Sequence, residues 1–248
     1  MPELPEVTTT VNGLQKVLPG LIFTDVWTDL SKKNQKVKQF QDTIKNDAFF
    51  KKFKKKIIGE KVLNVERRAK NILIHISGGN TILIHLKMTG HLLWGKYVFN
   101  KKENKWIPDS KEKKSLSDSY NRFIHVVFTF SNHKNLAFCD SRKFGKVTMM
   151  LTHDLENTLH LKNIGPEPLD KNFTFLKFQN RLYLKPNRKI KTILMNQEII
   201  AGIGNIYSDE MLWSSDIHPE SNPISISQEK LKKLYKEMRK VLKKGLIS

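Results

Sequence analysis

A single cysteine, Cys139, in 248 residues leaves that thiol no partner within the chain. This excludes an internal disulfide and any zinc site built from several cysteine thiolates at fixed spacing. No stretch approaches the roughly 18 consecutive apolar residues of a membrane span. The N-terminus is acidic and helical in pattern rather than a basic leader with an apolar core, so the chain reads as intracellular. Internal repeats and low-complexity tracts are missing too, which argues against a solenoid or a disordered arm. Acidic residues are few: 24 against 44 lysines and arginines, a formal charge of +20 and a pI near 9.9. That balance favours a polyanionic partner, nucleic acid first. An AT-rich genome that inflates lysine, asparagine and isoleucine across its proteome would leave the same mark.

What is present is enough apolar material, 39% of the chain, for a real core in one large domain or two modest ones. From Pro2 to about Leu18, Leu4, Val7, Val11, Leu14 and Leu18 recur at helical spacing, and Pro19-Gly20 ends the run. Short alternating runs follow at Asn71 to Ser77, Thr81 to Leu86, Arg122 to Phe130, Leu136 to Asp140 and Lys146 to Leu151. Gly78-Gly79-Asn80 and Ser131-Asn132-His133 read as turns between them. The lysine-rich stretch from Gly95 to Asn121 has no clear period and reads as a long surface loop. Ile164 to Leu169, with two prolines, breaks regular structure ahead of a helical region. Near the C-terminus Ser225-x-x-Gln228 offers a capping box for a helix carrying Leu231, Leu234, Met238, Val241 and Leu242 on one face. The expected fold is α+β: an N-terminal helix plus β-sandwich over 1–151, a linker over 152–165, and a helical domain over 166–248.

The N-terminal Pro2-Glu3-Leu4-Pro5-Glu6 carries its own chemistry. Position 2 is small enough for Met1 to be trimmed, which leaves a secondary amine at a helix start, where the dipole pushes its pKa below the ordinary α-amino range of about 7.7 to 8. Such an amine attacking a sugar C1′ forms an iminium ion, an electron sink that permits β-elimination of the phosphate. Glu3 is placed to protonate the ring oxygen, and Glu6, one turn on, to position the amine or a water. Proline in a first turn with acids beside it is also ordinary helix-start chemistry, and both readings stand on these residues alone.

Four further motifs follow in order: Arg67-Arg68-Ala69-Lys70, His85-Leu86-Lys87-Met88-Thr89-Gly90, Asp140-Ser141-Arg142-Lys143-Phe144-Gly145, and the fourteen residues from Gln197 to Glu210. In the last, glycines at 202 and 204 let backbone approach a phosphate, and the next helix start offers unpaired amides. Asn205 adds a side-chain donor and Lys191 a second phosphate contact. With the N-terminal Met1-Pro2-Glu3-Leu4-Pro5-Glu6-Val7, these motifs resemble the formamidopyrimidine-DNA glycosylase and endonuclease VIII family across almost the whole chain, 2 to about 246.

The resemblance implies a bifunctional glycosylase and abasic-site lyase working on damaged double-stranded DNA held in a basic cleft, monomeric, in a bacterial cytoplasm. It implies Pro2 as nucleophile, Glu3 as acid, Glu6 in support and Lys70 as a phosphate and damaged-nucleotide contact. Met88 and Phe144 become wedges in the base stack and Arg142 faces the orphaned base, offsetting the few kcal/mol that base extrusion costs. The helical domain is implied to hold a helix-two-turns-helix element carrying Asn205. That trio of Met88, Arg142 and Phe144 leans toward oxidised purines.

Ser141 and Lys143 depart from the family's commonest loop, and the four-cysteine zinc finger typical of members has no counterpart before Ser248, so no metal or other cofactor is expected. A naturally short enzyme, an incomplete gene product and a damage-binding protein without turnover are the readings this leaves. A basic RNA-binding protein using the helical hairpin alone is the reading from another class.

Overall fold

In the computed structural model, which describes residues 1–33 and 35–247, the chain divides into two compact units. The first comprises Met1, Thr10–Glu66 and Asn71–Leu155; the second comprises Pro2–Thr9, Arg67–Lys70 and Glu156–Ser248. Two short early segments therefore belong with the C-terminal half of the sequence.

Helix α1 runs over Leu4–Gln15, so Pro2 and Glu3 precede it instead of forming its first turn. The rest of the first unit is a β-sandwich. Its strands are β1 (Phe23–Thr28), β2 (Val62–Arg68), β3 (Asn71–Ile76), β4 (Asn80–His85), β5 (His91–Gly95), β6 (Tyr97–Asn100), β7 (Lys105–Pro108), β8 (Ile124–Phe130), β9 (Asn135–Cys139) and β10 (Lys146–Leu151). They form two four-stranded antiparallel sheets, ordered β1-β8-β9-β5 and β10-β4-β3-β2, and a separate β6-β7 ribbon. Successive residues of β3 and β9 are buried on both faces, so the one-sided alternation expected of these two runs is replaced by continuous burial. The two expected turns carry left-handed residues, Gly79 and His133.

Two elements depart from the sequence reading. Helix α2 (Asp47–Ile57) lies inside the expected β region: Asn46 caps it by accepting from the Phe49 amide at 2.9 Å, and Phe53 and Ile57 are buried beneath its lysine-rich face. The stretch expected to be a loop contains the β6-β7 ribbon and two 3-10 turns, Lys114–Ser117 and Ser119–Arg122. Strands of four residues are too short to show a period. Their anchors are tertiary: Trp106 packs on Phe99 and Trp27, and the Tyr97 amide donates to the Asn135 side chain at 2.9 Å.

The second unit contains helices α3 (Phe175–Leu182), α4 (Ile190–Met195), α5 (Asn205–Ser214) and α6 (Gln228–Ile247). Its core joins Leu4 to Phe178, Leu194, Ile200, Ile203, Met211, Leu234 and Met238, so the N-terminal segment is an integral part of the helical core. The cap of α6 is Ser227, whose hydroxyl accepts from the Lys230 amide at 3.3 Å, while Ser225 ends a preceding 3-10 turn. The expected capping box is displaced by two residues. Among the described residues no helix is long and apolar enough to cross a membrane.

Candidate active site

Three consecutive residues of the second unit, Gly202, Ile203 and Gly204, gather the chemistry. The Gly202 carbonyl accepts from the Leu4 amide at 3.0 Å. The Ile203 carbonyl accepts from the Lys70 ammonium at 2.7 Å. The Gly204 amide donates to Glu3 Oε2 at 2.6 Å. One tripeptide thus binds both the N-terminal segment and the lysine turn.

Glu3 is only 2% exposed, and its carboxylate is seated on the N-terminus of α5. Besides Gly204, Ile206 donates its amide to Oε1 at 2.9 Å and Tyr207 donates to Oε2 at 3.5 Å. The first amides of a helix have no intrahelical acceptor, and the helix dipole favours an anion there. The sequence reading offered these amides to a phosphate; the structure gives them to Glu3. The two glycines follow from the same packing. A Cβ on Gly204 would lie 2.4 Å from the Glu3 carboxyl carbon, and one on Gly202, at φ +82°, would lie 2.7 Å from a Leu4 methyl.

Glu6 is held at both oxygens: the Glu3 amide donates to Oε2 at 2.8 Å and the Tyr207 hydroxyl to Oε1 at 2.7 Å. Partial burial, then the hydrogen bond and charge of Glu6, push the Tyr207 phenol well above the usual tyrosine range. Lys70 is 5% exposed. Burial lowers its pKa to about 8, against the opposing pull of the Glu3 and Glu6 carboxylates.

Lys70 is presented by a turn that Glu167 organises. Glu167 accepts from the Ala69 amide at 2.7 Å and the Arg68 guanidinium at 3.1 Å, and pairs with Arg67 at 2.7 Å. Arg68 also donates to the Ile164 and Gly165 carbonyls, and Ala69 takes a left-handed φ of +54°. Asn205 stands exposed at the first position of α5. Lys191, on α4, is ion-paired with Asp209 at 2.7 Å. Sequence reasoning assigned no role to Glu167 or Tyr207, although both lie inside segments it singled out.

Met88, Arg142 and Phe144 belong to the first unit. Met88 is 45% and Phe144 49% exposed, and the Arg142 guanidinium lies 4.5 Å from the centre of the Phe144 ring. Buried Asp140 shapes their loop by accepting from the Arg142 amide at 3.2 Å, the Gly145 amide at 2.7 Å and the Thr89 hydroxyl. Lys45 holds the Lys143 carbonyl at 2.8 Å. Burial brings its pKa to about 8 despite the nearby Asp140. Cys139 is buried and its thiol is pushed up to about 12, which makes it unreactive. Among the described residues no three His, Cys, Asp or Glu side chains are grouped to hold a metal ion.

The model of the formamidopyrimidine-DNA glycosylase N-terminal domain matches residues 1–147, and that of the H2TH domain of the same enzymes matches residues 164–248. The formamidopyrimidine-DNA glycosylase of Pelotomaculum thermopropionicum is 35% identical over 99% of this chain and 78% of its own length. The Bacillus subtilis protein of that name is 32% identical over 99% and 78% of the two chains. Among solved structures, Lactococcus lactis Fpg (MutM) in complex with DNA containing N7-benzyl-Fapy-dG has a TM-score of 0.79 at 26% identity, covering 99% of this chain and 79% of that one. MutM in complex with DNA containing carbocyclic 8-oxo-G has a TM-score of 0.79 at 27% identity, covering 99% and 80%.

Proposed function

The chain belongs to the formamidopyrimidine-DNA glycosylase family, and from that premise we propose that it is a bifunctional DNA glycosylase and abasic-site lyase of bacterial base-excision repair. Its substrate in this reading is an oxidised purine, 8-oxoguanine or a formamidopyrimidine, in double-stranded DNA. It works as a monomer without a cofactor.

The observation that carries the reading is the Glu3 carboxylate seated on the amides of Gly204, Ile206 and Tyr207. It fixes the residue next to Pro2 on the same tripeptide that fixes Lys70. Such preorganisation is what a nucleophile and its electrostatic partner need.

Once Met1 is removed, the Pro2 nitrogen attacks C1′ of the damaged nucleotide. The base leaves with its bonding electrons and takes up a proton from water. The attacking nitrogen gives its own proton to Glu3, and Glu3 passes it to the ring oxygen as the sugar opens to the iminium ion. Loss of a C2′ proton to water then expels the 3′ phosphate by β-elimination, a further elimination releases the 5′ phosphate, and water hydrolyses the iminium to free Pro2. Lys70 and the exposed Asn205 side chain contact phosphate. Met88, Phe144 and Arg142 fill the gap in the stack and meet the orphaned base.

The test is borohydride trapping on a duplex with 8-oxoguanine opposite cytosine. A covalent adduct that Pro2→Gly abolishes supports the reading. An adduct only on an abasic-site duplex reduces it to a lyase, and none on either substrate replaces it with a damage-binding protein.

A further inference from the structure

We infer that Gln197 is a positioning residue for Lys70, acting through the Ile203 carbonyl that both side chains share. Gln197 spans the glycine turn from both sides. Its Nε2 donates to the Ile203 carbonyl at 2.7 Å and to the Met195 carbonyl at 2.9 Å, while its Oε1 accepts from the Gly202 amide at 2.9 Å. A carbonyl oxygen has two lone pairs. On Ile203 one receives Gln197 and the other receives Lys70 at 2.7 Å. With Gly202 in a left-handed conformation at φ +82°, the peptide planes of this turn are not set by any repeating ladder. The Gln197 amide adds a constraint to those from Leu4 and Glu3, donating to the Ile203–Gly204 peptide and accepting from the Ala201–Gly202 peptide on the other side of the turn. A lysine chain has four rotatable bonds; anchoring its ammonium on a fixed carbonyl gives the remaining two N–H donors one direction.

The charged groups facing Lys70 are Glu3 and Glu6. Tyr207 reaches Glu6 from α5, and the adjacent Arg67 and Arg68 are committed to Glu167. Gln197 adds no charge to this set, so its effect on Lys70 is directional. The inference rests on the proposed lyase reading for its consequence, though not for its geometry.

Two substitutions in the full chain separate the parts. Gln197→Met removes all three hydrogen bonds at nearly unchanged length. Gln197→Glu keeps the acceptor for Gly202, loses the donor to Ile203 and introduces a charge. The first readout is the titration of the Lys70 side chain by NMR in the free protein; Gln197→Glu raises it by about one unit, as an opposite charge at this range does. The second is trapping on an abasic-site duplex. Both variants lose about tenfold or more in rate at saturating DNA, whatever affinity is lost with the displaced phosphate contact. A Lys70 titration unmoved in Gln197→Glu together with unchanged trapping rates in both variants overturns the inference, as does a loss of affinity with the saturated rate unchanged. Should Gln197→Met fail to fold, hydrogen exchange of the Gln197 side-chain amide in the unsubstituted chain still decides: protection supports the clamp, and exchange as fast as an exposed glutamine removes it. Absence of any adduct with the unsubstituted chain would sink the lyase reading alone, leaving the Lys70 titration to judge Gln197.

Discussion

The Glu3 carboxylate meets the Gly204 amide at 2.6 Å across 201 residues of sequence. This contact explains why position 204 has no side chain: a Cβ there would fall 2.4 Å from the Glu3 carboxyl carbon, closer than real Cβ contacts come. Gly204→Ala must push Glu3 off the helix. Trapping should fall about 100-fold, since misplacement of about 1 Å at a reacting centre costs that much. The circular dichroism spectrum should remain native. A trapping rate within a few fold of the unsubstituted chain would show that the Glu3 seat does not position Pro2.

Lys70 makes the pH dependence of stability a direct probe of its burial. Its folded pKa, about 8, lies below the value near 10.4 of an unfolded chain. Between those values the unfolded state binds more protons, so stability gains from this group as pH rises through the window, and the penalty for its buried charge is full below pH 8. Lys70→Met removes the penalty while leaving Gln197 on the Ile203 carbonyl. The variant should melt at or above the unsubstituted protein at pH 7, and the difference should shrink as pH rises toward 10. A destabilised variant with a pH-independent difference would refute a charged, desolvated Lys70.

How much of this was legible in the sequence depends on what sets each feature. Helix α1, the four central strands β3, β4, β8 and β9, and α6 were readable because each buries one face or a continuous run. Helix α2 was hidden because Lys51, Lys52, Lys54, Lys55 and Lys56 swamp the two buried positions, Phe53 and Ile57. The N-terminal and Gln197–Glu210 motifs marked the site, but the sequence assigned the α5 amides to a phosphate. Nothing local says that a carboxylate 201 residues away takes them. Glu167 was invisible for the same reason: its partners Arg67, Arg68 and Ala69 sit about 100 residues earlier, in a turn that only tertiary packing brings to it.

Glu167→Gln tests that turn. The substitution keeps shape but withdraws the charge that Arg67 and Arg68 share, leaving two part-buried guanidiniums less well paired. Breaking such a pair costs on the order of 1–3 kcal/mol when hydrogen bonds to charged groups are weakened. Thermal melting should show that loss, and trapping should slow through Lys70. Unchanged melting and trapping together would show that Glu167 is dispensable to the turn.

Phe144 calls for the opposite pattern, function lost without stability. Its ring is 49% exposed, and its close neighbour is the Arg142 guanidinium at 4.5 Å. The loop itself is held by Asp140, which accepts from the Arg142 and Gly145 amides, and by Lys45 on the Lys143 carbonyl, so removing the ring leaves that scaffold in place. Phe144→Ala should therefore change folding stability by no more than about 0.5 kcal/mol, as exposed substitutions do. In the proposed role the ring enters the stack and offsets a few kcal/mol of unstacking. Fluorescence of a 2-aminopurine placed beside the lesion should rise on binding to the unsubstituted chain and rise much less with the variant, and base release should slow by about tenfold or more, one decade for each 1.4 kcal/mol of lost unstacking energy. Trapping on a pre-formed abasic site, where no base remains to be extruded, should be nearly unaffected. If base release and abasic-site trapping fell equally, Phe144 would be acting on DNA binding as a whole and not as a wedge.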